Sequence, residues 1–183
     1  HDLTGDAKAG WDVLEGEALR SEVEAIATPQ AVVFVDQIKS GDAAKIGAGR
    51  QGLLELAKAF WCHRCRKIFK PHPGAKELCA CATKYSEKFD EAFARKSGDH
   101  FRTVASTHVV PLRIGAKDDI QNAAKDVLEE ICKAKGQTEA EVIASVLDAR
   151  EAGERRAACD VLGQLGEAAV PHLGAVAKCL SDD

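Results

Sequence analysis

Four of the seven cysteines lie in one stretch of the chain, and they are the residues best suited to chemistry. Cys62 and Cys65 form a C-x-x-C pair, and Cys79 and Cys81 form a C-x-C pair beyond a Pro-His-Pro-Gly turn (71–74). Clustered thiols can form disulfides, hold a zinc ion or exchange electrons as a dithiol. Each of these chemistries requires the neighbouring elements to bring the sulfur atoms together.

The spacing of these cysteines about the turn favours two disulfides in a helical hairpin. If the helices on either side of residues 71–74 run antiparallel, Cys65 lies opposite Cys79, and Cys62 lies within one residue of the level of Cys81. Packed helices can bring Cα atoms within the roughly 7 Å that a disulfide requires. Closing such a loop would stabilise the fold by about 3 kcal/mol. We therefore predict Cys65–Cys79 and Cys62–Cys81 disulfides in a hairpin over residues 60–96.

Zinc binding and thiol redox chemistry are the alternatives for the same cysteines. C-x-x-C is a common zinc spacing, with His63 and His72 as possible substitute ligands, but C-x-C sets two thiols about 200° apart on a regular helix. Zinc binding by Cys62, Cys65, Cys79 and Cys81 would therefore need the second helix to begin late. A redox role would use the first pair, because nearby positive charge lowers a thiol pKa, although no βαβ pattern surrounds it.

The elements that must position these residues are predicted to be helices. Alanine and leucine dominate and aromatic residues make up 5% of the chain, which suits packed helices better than a β-sandwich. Thr28-Pro29 predicts an N-cap and a helix start, and Ser97-Gly98-Asp99 predicts a break. The predicted helices span about 11–27, 29–39, 43–69, 75–96, 100–114, 117–135 and 138–152.

Two further patterns on these helices are ambiguous. Gly47-Ala48-Gly49-Arg50-Gln51-Gly52 matches the letters of the dinucleotide-binding G-x-G-x-x-G motif. Because no convincing strand precedes it, we interpret it as a helical segment that is weakened or that contacts another helix closely. His100 and His108 are two helical turns apart and could share a face, although such histidines are more often surface or packed residues.

The last thirty residues have a more regular pattern, ERRAACDVLGQLGEAAVPHLGAVAKCLSDD. Small and apolar residues alternate through two helices linked by residues 166–169, and Pro171 lies near the start of the second. This segment (154–183) resembles a HEAT repeat, the helix pair of α-solenoids. Cys159 and Cys179 lie on its two helices, and we interpret both as small core residues.

The predicted fold class is therefore all-α: an irregular helical bundle, solenoid-like, with a cysteine-stapled hairpin and a C-terminal HEAT-like pair. We expect a helical domain at 1–115 and a HEAT-like segment at 116–183 that packs on it. A net charge of −4 argues against nucleic-acid binding, and no apolar run approaches the roughly 20 residues of a membrane span. No catalytic motif is recognised, so we expect no enzyme activity and no cofactor, with zinc as the alternative.

The expected function is that of a non-catalytic interaction subunit that docks onto protein subunits of a larger assembly. The HEAT resemblance implies an accessory, membrane-peripheral subunit of a photosynthetic complex such as a photosystem. The chain begins at His1 and contains no methionine, so either a targeting segment was removed or the sequence is part of a longer chain. The first option fits import into an organelle, and the expected location is the chloroplast thylakoid. A zinc-binding or thiol-redox helical domain is the alternative function.

Overall fold

The structure, a computed structural model, describes residues 17–62, 67–69 and 87–181, with side chains described for 17–59 and 96–181. Within these ranges the chain is predominantly helical, so the predicted all-α class is confirmed. The α-helices are α1 (Glu17–Lys39), α2 (Ala43–Ala57), α3 (Glu87–Val109), α4 (Asp118–Lys135), α5 (Glu139–Ala144), α6 (Ala152–Gln164) and α7 (Leu173–Ser181). Three 3-10 segments, Val110–Arg113, Ser145–Asp148 and Gly166–His172, connect helices in the second half. Strands β1 (Phe60–Cys62) and β2 (Lys67–Phe69) form one small hairpin.

Helix α1 continues through the point where the sequence predicted a new helix. Pro29 lies inside α1, so the prediction that Thr28 caps a separate helix is wrong. An interior proline costs about 3 kcal/mol because it removes a hydrogen bond and crowds the preceding turn. One continuous apolar stripe packs against α2 and α3 and outweighs this cost; its buried members are Leu19, Val23, Ala27, Ala31, Val35 and Ile38.

Helix α3 likewise continues through a predicted break. Ser97-Gly98-Asp99 lies within the helix, and Ser97 and Phe101 are fully buried. A Cβ atom placed on Gly98 would lie 3.7 Å from the carbonyl oxygen of Ala59, so this glycine lies beside the chain that enters β1. Burial on either side of Gly98 therefore maintains the helix where local propensity predicted its end.

The helix predicted over 43–69 is wrong in its second half. Helix α2 ends at Ala57, and the chain then forms an antiparallel hairpin in which Phe60 pairs with Phe69 and Cys62 pairs with Lys67. Aromatic and β-branched residue types are frequent in this stretch and favour strands. The first arm of the predicted helical hairpin therefore contains an antiparallel strand pair, Phe60–Cys62 with Lys67–Phe69.

The first two helices cross closely at the glycines of α2. A Cβ atom on Gly49 would overlap the carbonyl oxygen of Phe34, and one on Gly52 would overlap the Phe34 ring. Gly47, by contrast, has open space around it. The G-x-G-x-x-G letters therefore mark a close helix contact, one of the two interpretations that the sequence allowed.

Several helix ends agree with their sequence signals. The backbone N–H of Lys45 donates to Oδ1 of Asp42 at 2.9 Å, which caps α2. Thr138 and Glu141 form the predicted capping box at the start of α5. Gly136 follows α4 in the left-handed conformation, with φ of 63°. These local bonds fix the beginning of α2, the end of α4 and the beginning of α5.

One buried cluster joins the described helices. It runs from Leu19 in α1 to Cys179 in α7, and includes residues on both sides of the predicted division at 115/116. The 3-10 segment Gly166–His172 and helix α7 contribute little to this buried cluster, because only Ala169 and Cys179 are buried within residues 166–181. The C-terminal elements therefore lie at the edge of the core.

Candidate functional site

The structure places only part of the predicted cysteine site. Cys62 is the last residue of β1, so the prediction that it lies on a helix is wrong. Cys65 belongs to the four-residue connection 63–66 between the paired strands, and Cys79 and Cys81 also lie outside the described residues. The predicted Cys65–Cys79 and Cys62–Cys81 disulfides, and the alternative zinc site, stay predictions for this reason.

The remaining cysteines are packed against the core. Cys179 is buried, and Cys159 is half-buried against the core cluster, which agrees with the interpretation of both as small core residues. Cys132, on α4, is half-buried, and burial raises the pKa of its thiol above the ordinary value. A thiol of this kind is a weak nucleophile at neutral pH.

An apolar surface forms one side of the C-terminal elements. Val170, Leu173 and Leu180 are 58%, 57% and 65% exposed, and we call these three residues the C-terminal apolar face. Cys179 lies on the same helix as two of them and is buried, so α7 has one packed side and one exposed apolar side. The predicted HEAT-like pair corresponds here to α6, the 3-10 segment Gly166–His172 and α7.

A cavity of about 440 Å³ is formed by α1, α3, the Ser145–Asp148 segment and the beginning of α6. Ligand sites in proteins are commonly of this size or larger. Its lining combines apolar atoms with many polar groups: Arg20, Glu24, Ala25, Thr28, Pro29, Thr103, Val104, Thr107, His108, Ser145, Asp148, Ala149, Arg150, Glu151 and Glu154. We call this feature the interhelical cavity.

A histidine and a carboxylate meet in the lining of this cavity. Nδ1 of His108 lies 3.2 Å from Oε1 of Glu154, and the two side chains are 19% and 17% exposed. Burial, with a smaller contribution from the positive charge of Lys39, lowers the pKa of His108. Burial, reinforced by the negative charge of Glu151, raises the pKa of Glu154. Desolvation thus disfavours the charged form of both groups, which lie within ion-pair distance of each other.

A second polar group in the lining is a carboxylate held between two arginines. Nε of Arg20 donates to Oε1 of Glu24 at 2.7 Å, and a terminal guanidinium nitrogen of Arg150 lies 3.3 Å from Oε2 of the same carboxylate. The hydrogen bond from Arg20 to Glu24 is the main reason that the pKa of Arg20 is raised. These contacts join α1 to the chain before α6.

Sequence reasoning did not predict the interhelical cavity. It noted His108 only as a residue that could share a face with His100, and both do lie on α3. The partner Glu154 is 46 positions away in the sequence, within the HEAT-like segment, and no spacing signal connects the two. Only the packing of α6 against the Val110–Arg113 and Ser145–Asp148 segments brings them together.

No helix among the described residues is long and apolar enough to span a membrane. No protein-family model, curated protein or solved structure matches this chain. The candidate sites are therefore interpreted from their own geometry.

Proposed function

We propose that the protein is a non-catalytic helical interaction subunit that docks onto a larger assembly through its C-terminal apolar face. The observation that carries this proposal is the exposure of Val170, Leu173 and Leu180 together at the edge of the core. Fully burying one such side chain contributes about 1.5–3 kcal/mol. Burying these three side chains together against another protein surface would therefore favour the contact by several kcal/mol, on the order of 4–9 kcal/mol before the costs of association.

The partner surface we propose is an apolar helical face of another subunit. Solenoid units bury one side against the preceding unit and the other against the next. Ala169 and Cys179 face the body of this protein, and the C-terminal apolar face lies where a following unit would pack. A partner helix pair with its own apolar stripe would complete this arrangement.

The assembly we propose is a photosynthetic membrane complex such as a photosystem, with the protein as an accessory, membrane-peripheral subunit in the chloroplast. The support for this choice is the HEAT resemblance of residues 154–183.

Native purification of the tagged protein from its source cells tests the docking proposal. We expect the protein to migrate with an assembly far larger than the 19.5 kDa chain. The double variant Leu173→Glu, Leu180→Glu should migrate as the single chain while its circular dichroism and Tm stay close to those of the parent. Val33→Glu is the matched control, because Val33 is 54% exposed but lies on α1. An assembly that retains the double variant, or a parent chain that migrates alone, would contradict the proposal.

Zinc binding is the second candidate function, and the C-x-x-C spacing of Cys62 and Cys65 supports it. Cys62 is the last residue of β1, and Cys65 lies outside the described residues. Zinc sites of the ribbon type use this ligand spacing. Denaturing intact mass with and without reductant distinguishes the chemistries, because two disulfides lower the mass by four hydrogens, whereas bound zinc leaves free thiols and a stoichiometric metal. Cys62→Ser with Cys65→Ser should abolish the metal if zinc is bound.

A further inference from the structure

The lining of the interhelical cavity is rich in hydrogen-bond acceptors. The hydroxyl of Thr103 donates to the carbonyl oxygen of Asp99 at 2.9 Å, and that of Ser145 donates to the carbonyl oxygen of Val142 at 2.6 Å. A hydroxyl that has used its hydrogen in this way has only its oxygen lone pairs left to offer. Both side chains therefore present acceptors to the cavity.

Two further acceptors come from α1 and α3. His108 lines the cavity, burial lowers its pKa, and a neutral imidazole has one unprotonated ring nitrogen that can accept a hydrogen bond. Pro29 has no N–H, so the carbonyl oxygen of Ala25, four residues earlier, lacks its usual helical donor. Ala25 and Pro29 both line the cavity. The interior proline of α1 thus removes a donor at the place where the cavity lies.

The charges in the lining have a negative excess. Two guanidinium groups face four carboxylates, and both guanidinium groups already contact the same one, Glu24. The other three carboxylates, Asp148, Glu151 and Glu154, line the side of the cavity between the Ser145–Asp148 segment and the first turn of α6. Among the residues whose side chains the structure describes, Glu154 lies 3.2 Å from His108, whereas Asp148 and Glu151 form no ion pair.

We propose that the interhelical cavity binds a small organic cation through a protonated amine or guanidinium group. Such a group carries several N–H donors and a positive charge, which match the acceptors and the negative excess of the lining. The apolar lining atoms would contact the carbon skeleton of the ligand. A small anion would be repelled by these three carboxylates, and both arginines already contact Glu24. Among the described residues, no three His, Cys, Asp or Glu side chains are grouped closely enough to hold a metal ion, which favours an organic cation.

Titration of the full chain with agmatine, which carries one ammonium and one guanidinium group, tests this proposal. Isothermal titration calorimetry at low salt should detect binding, and the ring nitrogen signals of His108 should shift in the NMR spectrum. The uncharged 1,4-butanediol and the dianion succinate are the matched probes, and we expect neither to bind. Salt should weaken agmatine binding because it screens the charges.

Variants of the lining locate the site. Asp148→Asn together with Glu154→Gln removes two negative charges with little change of shape, and we expect at least a tenfold rise in Kd. Ala25→Leu leaves the charges in place and fills part of the cavity from an exposed position of α1, and we expect a similar loss. Glu167→Gln is the control, because Glu167 is exposed and outside the cavity, and its Kd should be unchanged.

Several results would overturn the proposal. These are the absence of agmatine binding to the folded chain at millimolar concentration, equal or tighter binding of succinate, or an equal effect of the control and lining substitutions. The docking proposal does not depend on any of these outcomes, because the C-terminal apolar face uses different residues.

Discussion

The close crossing of α1 and α2 makes the three glycines of α2 respond differently to the same substitution. Gly47→Ala, Gly49→Ala and Gly52→Ala each add one methyl group to a helix interior. In an open helical position this change stabilises a protein by about 0.5–1 kcal/mol, because alanine loses less conformational entropy than glycine. Gly47 has no other atom within 4 Å of its Cβ position, so we expect the full gain there.

At Gly49 the added methyl group meets atoms that have little freedom to move. Its Cβ would overlap the Phe34 carbonyl oxygen, lie 2.9 Å from Cγ1 of Ile38 and lie 3.1 Å from Cβ of Gln37. Overpacking costs about 1–3 kcal/mol, and a backbone carbonyl cannot rotate away without shifting α1. Against the gain of about 0.5–1 kcal/mol, we therefore expect Gly49→Ala to be destabilised by up to about 2.5 kcal/mol net. At Gly52 the obstacle is the half-buried Phe34 ring, which can move, so the cost should lie between those of the other two variants.

Thermal and urea unfolding of the three variants measure this order. In a chain of this size 1 kcal/mol shifts Tm by roughly 2–4 °C. Gly47→Ala should therefore melt roughly 2–12 °C above Gly49→Ala, with Gly52→Ala between them. The reasoning would be refuted if Gly49→Ala were as stable as Gly47→Ala, because the two helices would then not be in contact at Phe34.

Two other predictions follow from groups at helix ends. Burial holds the pKa of His108 in the folded chain below its ordinary value of 6.5, so the unfolded chain binds more protons below that pH. The contribution of His108 to the free energy of unfolding is therefore complete above about pH 6.5. It falls as the pH decreases toward the pKa of the folded state. His108→Gln should flatten this decrease in urea unfolding between pH 7 and 5.5, and an unchanged slope would contradict the prediction. His100, whose pKa is also lowered, should retain part of the decrease in the variant. Glu154 has a raised pKa, so its protonation makes the folded chain more stable as the pH falls further. Asp42→Ala removes the cap of α2 and should lower the free energy of unfolding by about 1 kcal/mol, measured with urea. Asp36→Ala is the control, because Asp36 is exposed on α1. An equal loss of stability in both variants would show that the cap bond is unimportant.

The helical class and the helix ends that depend on local bonds could be predicted from the sequence. The Asp42 cap, the Thr138–Glu141 capping box and Gly136 after α4 involve residues within a few positions of each other, so their chemistry is visible in the letters. The ends that packing decides were predicted wrongly. Local rules stop a helix at Pro29 and at Gly98, but buried residues on both sides of each position hold α1 and α3 together.

The candidate sites show the same division. The exposed apolar residues of α7 lie in a segment that the repeat pattern had already indicated as a surface for packing. The interhelical cavity depends on contacts between α1, α3 and the beginning of α6, which are far apart in sequence. No periodicity indicates that His108 meets Glu154, since that contact exists only after the helices have packed. The strand pair that begins before Cys62 could be predicted only in part. Its aromatic and β-branched residues favour strands, but the apolar pattern of the helix before them predicted that the helix would continue.

The weak attachment of the C-terminal elements leads to a last prediction, which concerns a chain that ends at Leu165. Removing residues 166–183 uncovers little of the core, since only Ala169 and Cys179 are buried among the described residues of that segment. Burial contributes about 0.8 kcal/mol per CH₂-sized group, so these two side chains contribute roughly 2–3 kcal/mol to the free energy of unfolding. We therefore expect the shortened chain to unfold cooperatively with its helical signal retained and its Tm lowered by roughly 5–10 °C.

The outcome separates two roles for the last helices. If they serve mainly as a docking element, the shortened chain folds but no longer joins the assembly, as the double variant at Leu173 and Leu180 also should. If they are an essential part of the core, the shortened chain loses its cooperative transition, and the exposure of Val170, Leu173 and Leu180 could not be assigned to a separate contact surface. Circular dichroism during thermal unfolding, followed by native purification of the same chain, distinguishes the two. A folded shortened chain that still joins the assembly would place the docking surface elsewhere on the helical body.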